Sequence, residues 1–174
     1  MKGKYVTKKI ALVTGSAKRI GRSLSLYLAQ NGYDIAIHYN HSEADALSLK
    51  NEIEALGKDA KLFQCDLTDE NKVNKLIPSI VSEMGNLRVL VNSASIFKPS
   101  SLEGSEPQIN KDNIKHNNSM DCFDEHFKIN LKAPLLLSRS FGTHIDTGLI
   151  VNITDAKVSN YQTEFFDYLL SKKA

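Results

Sequence analysis

Short apolar segments rich in β-branched residues alternate along the chain with longer segments in which apolar residues recur at helical spacing. This alternation predicts βαβ units, and therefore a parallel sheet covered by helices on both faces. We expect an α/β fold with a doubly wound parallel sheet. Its five predicted strands are residues 10–14, 34–39, 60–65, 88–92 and 149–153.

Two segments show the clearest helical periodicity. The first begins after Thr68 and ends before Gly85, with its apolar stripe on Val73, Leu76, Ile77, Ile80 and Val81. The second begins at about Ser42 and ends at Gly57, a residue suited to a left-handed helix end, with its apolar stripe on Leu49, Ile53 and Leu56. Both helices connect predicted strands, as a doubly wound sheet requires.

Between residues 98 and 121 the periodicity gives way to a polar stretch rich in Ser, Asn, Lys and Glu. We interpret this stretch as a mobile loop, because it has no periodic apolar face to bury. The helical pattern resumes near Phe123. Residues 1–174 are therefore predicted to form one domain.

Composition narrows the possible functions. The chain has 174 residues, is 24% charged and 41% hydrophobic, and carries a formal net charge of +2, which is too small for a nucleic-acid-binding face. The two cysteines, Cys65 and Cys122, form no CxxC pair, and no apolar run approaches the length of a membrane span. These features predict a cytoplasmic protein with no nucleic-acid or membrane partner.

The turn after the first predicted strand contains two glycines six residues apart, Gly15 and Gly21, and opens a helix. Glycine allows the backbone to approach a pyrophosphate, and the free N–H groups and dipole at a helix start favour that anion. Lys18, Arg19 and Ile20 lie within the same turn. The segment predicts a dinucleotide-binding turn, although two glycines alone also fit a plain connection.

The end of the second predicted strand carries no carboxylate, the group that NAD-binding folds place on the ribose 2′-hydroxyl. Lys18, Arg19, His38 and Ser42 supply cationic or hydrogen-bonding groups instead. This set favours a 2′-phosphate, and hence NADPH as the cofactor. Ordinary solvated surface cations are the alternative. His38 and His41 have no further ligand at metal-binding spacing, so no metal is expected.

Five motifs lie at the ends of predicted loops or on the face of a predicted helix. They are residues 14–21, 65–67, 91–95, 130–134 and 168–172. In order and spacing they resemble the short-chain dehydrogenase/reductase family, whose members have a Rossmann fold. The resemblance implies that Gly15 and Gly21 frame the pyrophosphate turn and that Asp66 and Leu67 contact the adenine. It also implies that Asn92, Ser93 and Ala94 line the nicotinamide side, and that Asn130 supports an active-site water and the catalytic lysine. Purely structural roles for Asp66 and Asn130 are the alternative.

Tyr168 and Lys172 are four residues apart, so on a helix both side chains project from one face. A tyrosine has a pKa near 10 and is a poor proton shuttle at neutral pH. A neighbouring ammonium group favours the phenolate, so we expect Lys172 to lower the pKa of Tyr168. The resemblance makes these two residues catalytic, with Lys172 also holding the cofactor ribose.

Asp155 stands where the family usually has a serine, 13 residues before the tyrosine. A carboxylic acid can relay a proton to a basic ring nitrogen, which suggests a heterocyclic substrate. Asp155, Lys18-Arg19, His38-Tyr39 and residues 92–97 together resemble the pteridine reductase branch of the family, of the dihydromonapterin or dihydrofolate reductase type. The branch implies that Phe97 stacks on the pterin and that Ser95 bonds the pterin or the cofactor, although Phe97 also fits a core position. Asp155 and Tyr168 would contact the substrate as well.

The resemblance also implies a further helix, two strands and a substrate-covering loop beyond the segment matching residue 174, so five of the usual seven strands are expected here. On that reading the helix over 165–174 frays, and the fifth strand forms an exposed edge. A second copy of the chain or a separate C-terminal polypeptide would then complete the protein. An inactive dinucleotide-binding fragment and a general carbonyl reductase are the alternatives to an active pteridine reductase.

Overall fold

The computed structural model describes residues 8–100, 119–159 and 164–174. Residues 101–118, which form most of the predicted polar loop, lie outside the described residues, so the expectation of a mobile loop stays a prediction. The described segments form a five-stranded parallel sheet flanked by helices. The predicted fold class is confirmed.

All five predicted strands are present, each with its ends within one residue of the prediction. Every neighbouring pair is parallel, and the order across the sheet is β3-β2-β1-β4-β5. Strands β2 and β3 therefore lie on one side of β1, and β4 and β5 lie on the other. The crevice beyond the carboxyl ends of β1 and β4, where the strand order reverses, is the expected ligand site. The strands are β1 Ile10–Val13, β2 Asp34–Tyr39, β3 Ala60–Gln64, β4 Leu87–Asn92 and β5 Leu149–Asn152.

Six α-helices occur in the described part of the chain. A π-helical turn at Lys128–Lys132 joins the fourth helix to the fifth, and a short 3₁₀ turn follows β5 at Ala156–Ser159. The helix predicted to resume near Phe123 begins earlier, at Met120, because Ser119 caps its start by accepting a hydrogen bond from the Cys122 N–H. The α-helices are α1 Arg19–Gln30, α2 Glu43–Ala55, α3 Glu70–Met84, α4 Met120–Phe127, α5 Ala133–His144 and α6 Phe166–Lys173.

Successive residues of the buried strands face opposite sides of the sheet and build two cores. Ala11 and Val13 of β1 pack towards α1 and α2, together with Leu49 of α2. Leu12 of β1 packs on the other side against α3 and α5, together with Leu137 of α5. This arrangement explains why the strands are almost continuously apolar rather than alternating.

One residue of the predicted apolar stripe of α2 is not buried. Leu49 and Ile53 are fully buried, whereas Leu56 is 44% exposed. Leu56 is the C-cap of α2, and Gly57 follows in the left-handed region at φ +75°. The chain turns away from the core at this point, so the periodic spacing ends one position before the prediction placed it.

β5 forms one edge of the described sheet, as expected, and it is more exposed than the central strands. Leu149 is 57% exposed and Ile150 is 37% exposed. In the described part of the chain, none of the helices combines the length and the apolar character needed to cross a membrane.

The packing of α5 leads to a stability prediction. Leu137 is 1% exposed within the core between the sheet and α3, whereas Leu135 on the same helix is 45% exposed. Leu137→Ala leaves a cavity and is expected to lower the free energy of unfolding by about 2–5 kcal/mol. Leu135→Ala, the matched control, is expected to change it by about 0.5 kcal/mol or less. Urea unfolding of both variants makes the comparison, and equal losses would contradict the assigned core.

Candidate active site

A cleft of about 760 Å³ lies beyond the carboxyl ends of the strands. Of the residues predicted for the site, all line this cleft except Asp66, Asn92 and Asn130. The lining residues that were predicted are Gly15, Lys18, Arg19, Ile20, Gly21, His38, Ser42, Leu67, Ser93, Ala94, Ser95, Phe97, Asp155, Tyr168 and Lys172. Unpredicted residues also line it, among them Tyr39, Asn40, His41, Ile96, Thr154 and Lys157.

The two glycines of the first turn are required by close backbone approaches. Gly15 has φ +64°, and a Cβ there would lie 2.9 Å from the Cα of Ala94. A Cβ on Gly21 would overlap the carbonyl oxygen of Gly15. The turn after β1 is therefore packed against both the loop after β4 and the start of α1. Side chains are excluded from both positions, which leaves the backbone exposed to a ligand.

The start of α1 has the properties of an anion site. No acidic residue lies in its first turn, and its N-cap, Lys18, makes no side-chain capping bond. The unpaired N–H groups and the positive end of the helix dipole therefore face the cleft. Ile20, the apolar residue of the predicted turn, is 58% exposed and lines the cleft.

The two cations of this turn differ in their environment. Lys18 pairs with Asp45 of α2 at 3.0 Å. Arg19 is exposed, has φ +51°, and has no ion-pair partner in the described ranges. A left-handed conformation is unfavourable for a residue with a Cβ and is normally given to glycine. A cation thus stands beside the anion site at a position where the backbone would favour glycine.

His38 was predicted to supply a cationic or a hydrogen-bonding group, and its surroundings exclude the cationic form at neutral pH. Its side chain is buried, its Nδ1 accepts a hydrogen bond from the Gly15 N–H at 2.9 Å, and its Nε2 lies 3.0 Å from the carbonyl oxygen of Cys65. Nδ1 must be unprotonated to accept a hydrogen bond, so Nε2 carries the ring proton and donates a hydrogen bond to the Cys65 carbonyl oxygen. Burial lowers the pKa of His38 to about 4. The ring is neutral and holds the glycine turn against β3.

Thr14 is a site residue that the sequence analysis did not select individually. Its Oγ1 accepts hydrogen bonds from the N–H groups of Ser93 at 2.9 Å and Ala94 at 3.0 Å. This side chain therefore fastens the end of β1 to the end of β4, on the floor of the cleft. A threonine directly after the first strand, at the switch point of the sheet, was the signal available in the sequence.

Asp66 and Asn92 hold loops in this structure. Asp66 Oδ1 accepts from the N–H and the hydroxyl of Thr68, and the N–H bond is the main reason that the pKa of Asp66 is lowered. Asn92 Nδ2 donates to Asn152 Oδ1 at 2.8 Å, which joins β4 to β5. Both residues thus shape the cleft from outside it.

Asn130 lies within the π-helical turn between α4 and α5 and bridges two parts of the site. Its Oδ1 accepts from the Ser95 hydroxyl and the Ile96 N–H, both at 3.0 Å. Its Nδ2 donates to the Ile96 carbonyl and to the Ser171 hydroxyl of α6. Such π-helical turns interrupt helices mostly at functional sites. Asn130 therefore links the loop after β4 to the helix that carries Tyr168 and Lys172.

The predicted catalytic residues come together at one end of the cleft. The Tyr168 hydroxyl donates to Asp155 Oδ2 at 2.6 Å, and Lys172 Nζ donates to the Ile153 carbonyl at 3.2 Å. Tyr168 is buried, whereas Asp155 is partly exposed. The helical spacing of Tyr168 and Lys172 is confirmed, since both lie on α6.

The expected lowering of the Tyr168 pKa is not found. Burial and the hydrogen bond to the Asp155 carboxylate both raise the pKa of Tyr168 above its ordinary value. The same hydrogen bond lowers the pKa of Asp155. Burial lowers the pKa of Lys172, which makes its cation less stable. The expectation was wrong because burial disfavours the phenolate, and because the phenol is hydrogen-bonded to a carboxylate rather than to the ammonium group.

Phe97 lies at the mouth of the site and is 49% exposed. Its ring stacks on Phe165 with centroids 4.1 Å apart and meets the Tyr168 ring edge-on at 4.7 Å. One face of Phe97 is therefore covered by protein. Lys157 Nζ lies 5.9 Å from the ring centroid. The ring is neither a core residue nor an open platform, and it packs directly against the tyrosine.

Cys122, His126 and Asp167 place potential ligand atoms within 4.8 Å of one another behind the cleft. The Nδ1 of His126 lies 2.8 Å from the Cys122 carbonyl, and its Nε2 accepts a hydrogen bond from the Lys98 N–H at 3.3 Å. These contacts occupy both ring nitrogens. The Lys98 contact ties α4 to the loop after β4.

Fold and site together define a nucleotide-binding α/β domain with a Tyr-Lys pair on its last described helix. Residues 9–174 match the short chain dehydrogenase family, and the chain belongs to that family.

Relatives and solved structures agree with this assignment. The chain is 42% identical over 90 residues to the 3-oxoacyl-[acyl-carrier-protein] reductase FabG of Staphylococcus aureus, covering 52% of this chain and 37% of that protein. It is 31% identical over 140 residues to the hydroxynaphthalene reductase arp2 of Aspergillus fumigatus, covering 80% of this chain and 46% of that protein. The crystal structure of FolM alternative dihydrofolate reductase 1 from Brucella canis, complexed with NADP, has a TM-score of 0.82 and 33% identity, covering 95% of this chain and 61% of that one.

The buried neutral His38 leads to a prediction about pH. The unfolded chain binds a proton at this histidine near pH 6.5, whereas the folded chain does so only near pH 4. Stability from His38 is therefore present above pH 6.5 and is lost as the pH falls towards 4. Between pH 7 and pH 5 the expected loss from this group is about 2 kcal/mol.

The measurement is urea unfolding at both pH values for the wild type and His38→Asn. Asparagine can accept from the Gly15 N–H through its Oδ1 but binds no proton in this range. The stability of the variant should therefore change less with pH, whatever its stability at pH 7. Equal pH dependence of the two proteins would show that folding does not lower the pKa of His38.

Proposed function

We propose that this chain is the NADPH-binding and catalytic part of a short-chain reductase that reduces a C=N bond of a dihydropterin or dihydrofolate. The observation that carries the proposal is the hydrogen bond between Tyr168 and Asp155, 2.6 Å long, at one end of a cleft whose other end is the glycine turn. This arrangement places a proton-transfer pair beside a dinucleotide-sized groove.

The residues present fit NADPH. The close approach of Gly15 to Ala94 leaves bare backbone for a pyrophosphate, and the acid-free start of α1 favours its charge. Arg19, without an ion-pair partner in the described segments, is placed to bind a 2′-phosphate, with Ser42 across the cleft. Structural relatives solved with NADP, such as FolM from Brucella canis, support the same cofactor.

Bound NADPH would supply the hydride to the carbon of the C=N bond. The chain supplies the proton to the nitrogen. Tyr168, whose pKa is raised, keeps its hydroxyl proton at neutral pH and is the proposed donor of that proton to the substrate. Asp155 accepts from that hydroxyl and is partly exposed, so it can return a proton from solvent to the phenol. Lys172 stands on the same face of α6, where it can hold the cofactor ribose.

The substrate class rests on Asp155. A carboxylic acid can hydrogen-bond and protonate a basic ring nitrogen, which the hydroxyl of a serine does poorly. Phe97, half exposed beside Tyr168, offers an aromatic edge for a flat heterocycle. Ser95 lines the same end of the cleft. The similarity to FolM alternative dihydrofolate reductase 1 over 95% of the chain supports this class.

A carbonyl reductase is the second candidate. The 42% identity to FabG over 90 residues favours it, because that relative is named for reducing a 3-oxoacyl group. The chain spans 37% and 46% of the two curated relatives described and 61% of the FolM chain.

The test of the reaction compares substrates and one substitution. Purified protein with NADPH is supplied with dihydrobiopterin, dihydrofolate or a ketone, and loss of nicotinamide absorbance is followed. We expect turnover of the pterins. Asp155→Ser, which installs the serine usual in the family, should lower pterin turnover on the order of 100-fold, because it removes the carboxylate that returns a proton from solvent to the Tyr168 phenol.

Each other result selects an alternative. Turnover of the ketone alone, or an unchanged rate with Asp155→Ser, would select the carbonyl reductase. NADPH binding without turnover of any substrate would identify an inactive dinucleotide-binding fragment. Tyr168→Phe is the reference for loss of the proton donor and should abolish measurable turnover in either reductase.

A second test concerns the cofactor. Arg19→Gly removes the cation and places glycine at φ +51°, so the backbone is not strained by the change. The variant should weaken NADPH binding about 10- to 100-fold, the worth of a charge-assisted phosphate contact, while NADH binding changes about twofold or less. Nicotinamide fluorescence titrations measure both constants. Equal losses for the two coenzymes would contradict the assigned role of Arg19.

A further inference from the structure

The helix that carries Tyr168 begins without a cap of its own. Phe165, the N-cap of α6, lies in the left-handed region at φ +60° and makes no side-chain capping bond. The first N–H groups of a helix have no partner within it and need one from elsewhere. Tyr168 is only three residues beyond this N-cap, so the order of the first turn determines where its phenol lies.

One residue from another part of the chain supplies these partners. Ser100 is 1% exposed, and its carbonyl oxygen accepts from the Phe165 N–H at 2.7 Å and from the Phe166 N–H at 3.4 Å. Its Oγ accepts from the Asp167 N–H at 2.9 Å. Ser100 thus provides the acceptors that a residue preceding the helix normally provides.

Ser100 belongs to the segment that follows β4, and this segment contacts α6 at other points as well. Phe97 stacks on Phe165 and contacts the Tyr168 ring. Asn130 joins the backbone of Ile96 to the Ser171 hydroxyl of α6. The helix is therefore held along its length by the loop that also lines the cleft, and Ser100 holds the end nearest Tyr168.

We propose that Ser100 is a positioning residue, which caps α6 from outside the helix and thereby holds the Tyr168 phenol against Asp155. The role in turnover rests on the proposed function, whereas the geometric part does not. A displaced catalytic group costs rate steeply, because proton transfer requires the donor within hydrogen-bond distance of the substrate. Loss of the cap should consequently affect kcat and leave cofactor binding nearly unchanged.

The first readout needs no substrate. The hydrogen bond from Tyr168 is the main cause that lowers the pKa of Asp155, so a carboxyl titration of Asp155 followed by NMR reports on the pair. Tyr168→Phe sets the value expected for complete loss of the bond. Ser100→Ala should move the pKa of Asp155 upward towards that value, and Ser100→Thr, which keeps the hydroxyl, should leave it at the wild-type value.

The second readout is kinetic. Ser100→Ala should lower kcat on the order of tenfold, with the dissociation constant of NADPH within about twofold of the wild type, and Ser100→Thr should restore kcat. Ser100→Ala keeps the carbonyl acceptor and is expected to fold. If it does not, Ser100→Val and Ser100→Thr form a second pair, equal in shape and different only in the hydroxyl.

Ser119→Ala is the matched control, since it removes the capping hydroxyl of α4 rather than α6. An equal effect of Ser119→Ala on kcat and on the Asp155 pKa would overturn the proposal in favour of a general loss of stability. An Asp155 pKa unchanged in Ser100→Ala would overturn it as well. If the wild type turns over no substrate, the proposed function fails, and the titration alone still decides the role of Ser100.

Discussion

The close approach of β1 and β4 at their carboxyl ends is the constraint on which the rest of the site depends. Gly15 can approach Ala94 only because it has no Cβ, and Thr14 fixes the approach with two hydrogen bonds to the N–H groups of Ser93 and Ala94. His38 adds a third contact through the Gly15 N–H. These contacts hold the glycine turn, the start of α1 and the loop after β4 in one arrangement, and the cleft follows from it.

Most of the fold was predictable because the strands are buried on both faces. A strand such as β1 or β2 must be apolar at nearly every position, which makes short runs of β-branched residues readable without any relatives. Helix ends were less certain. Leu56 continues the periodic spacing of α2 but lies at the C-cap, where the chain turns outward, and no pattern of apolar positions contains that turn. Local periodicity predicts that a helix or strand is present, whereas tertiary packing determines its last residue.

The site residues likewise fall into those that the sequence could predict and those that it could not. Residues whose role follows from position after a strand, such as Arg19 and Asp155, were predicted and line the cleft. For His38 the prediction left a cationic and a hydrogen-bonding role open, because sequence shows the residue type but not its burial, and burial decides the protonation state of an imidazole. Ser100 carried no signal at all. Its partners at residues 165–167 are more than 60 positions away, and only the folded chain brings them together.

The chemistry at Tyr168 shows why the pair of Tyr168 and Lys172 cannot be interpreted without Asp155. Spacing on a helix places Lys172 on the face of Tyr168, and with those two alone the ammonium group would favour the phenolate. Burial of the phenol and Asp155 reverse that balance, because burial disfavours the phenolate and the carboxylate is hydrogen-bonded to the phenol, whereas Lys172 donates to a backbone carbonyl. Tyr168 therefore stays protonated at neutral pH and is a weaker acid than a free tyrosine. Replacement of the usual serine by aspartate places a carboxyl group within hydrogen-bond distance of the phenol, where it can relay a proton from solvent towards a basic ring nitrogen of the substrate.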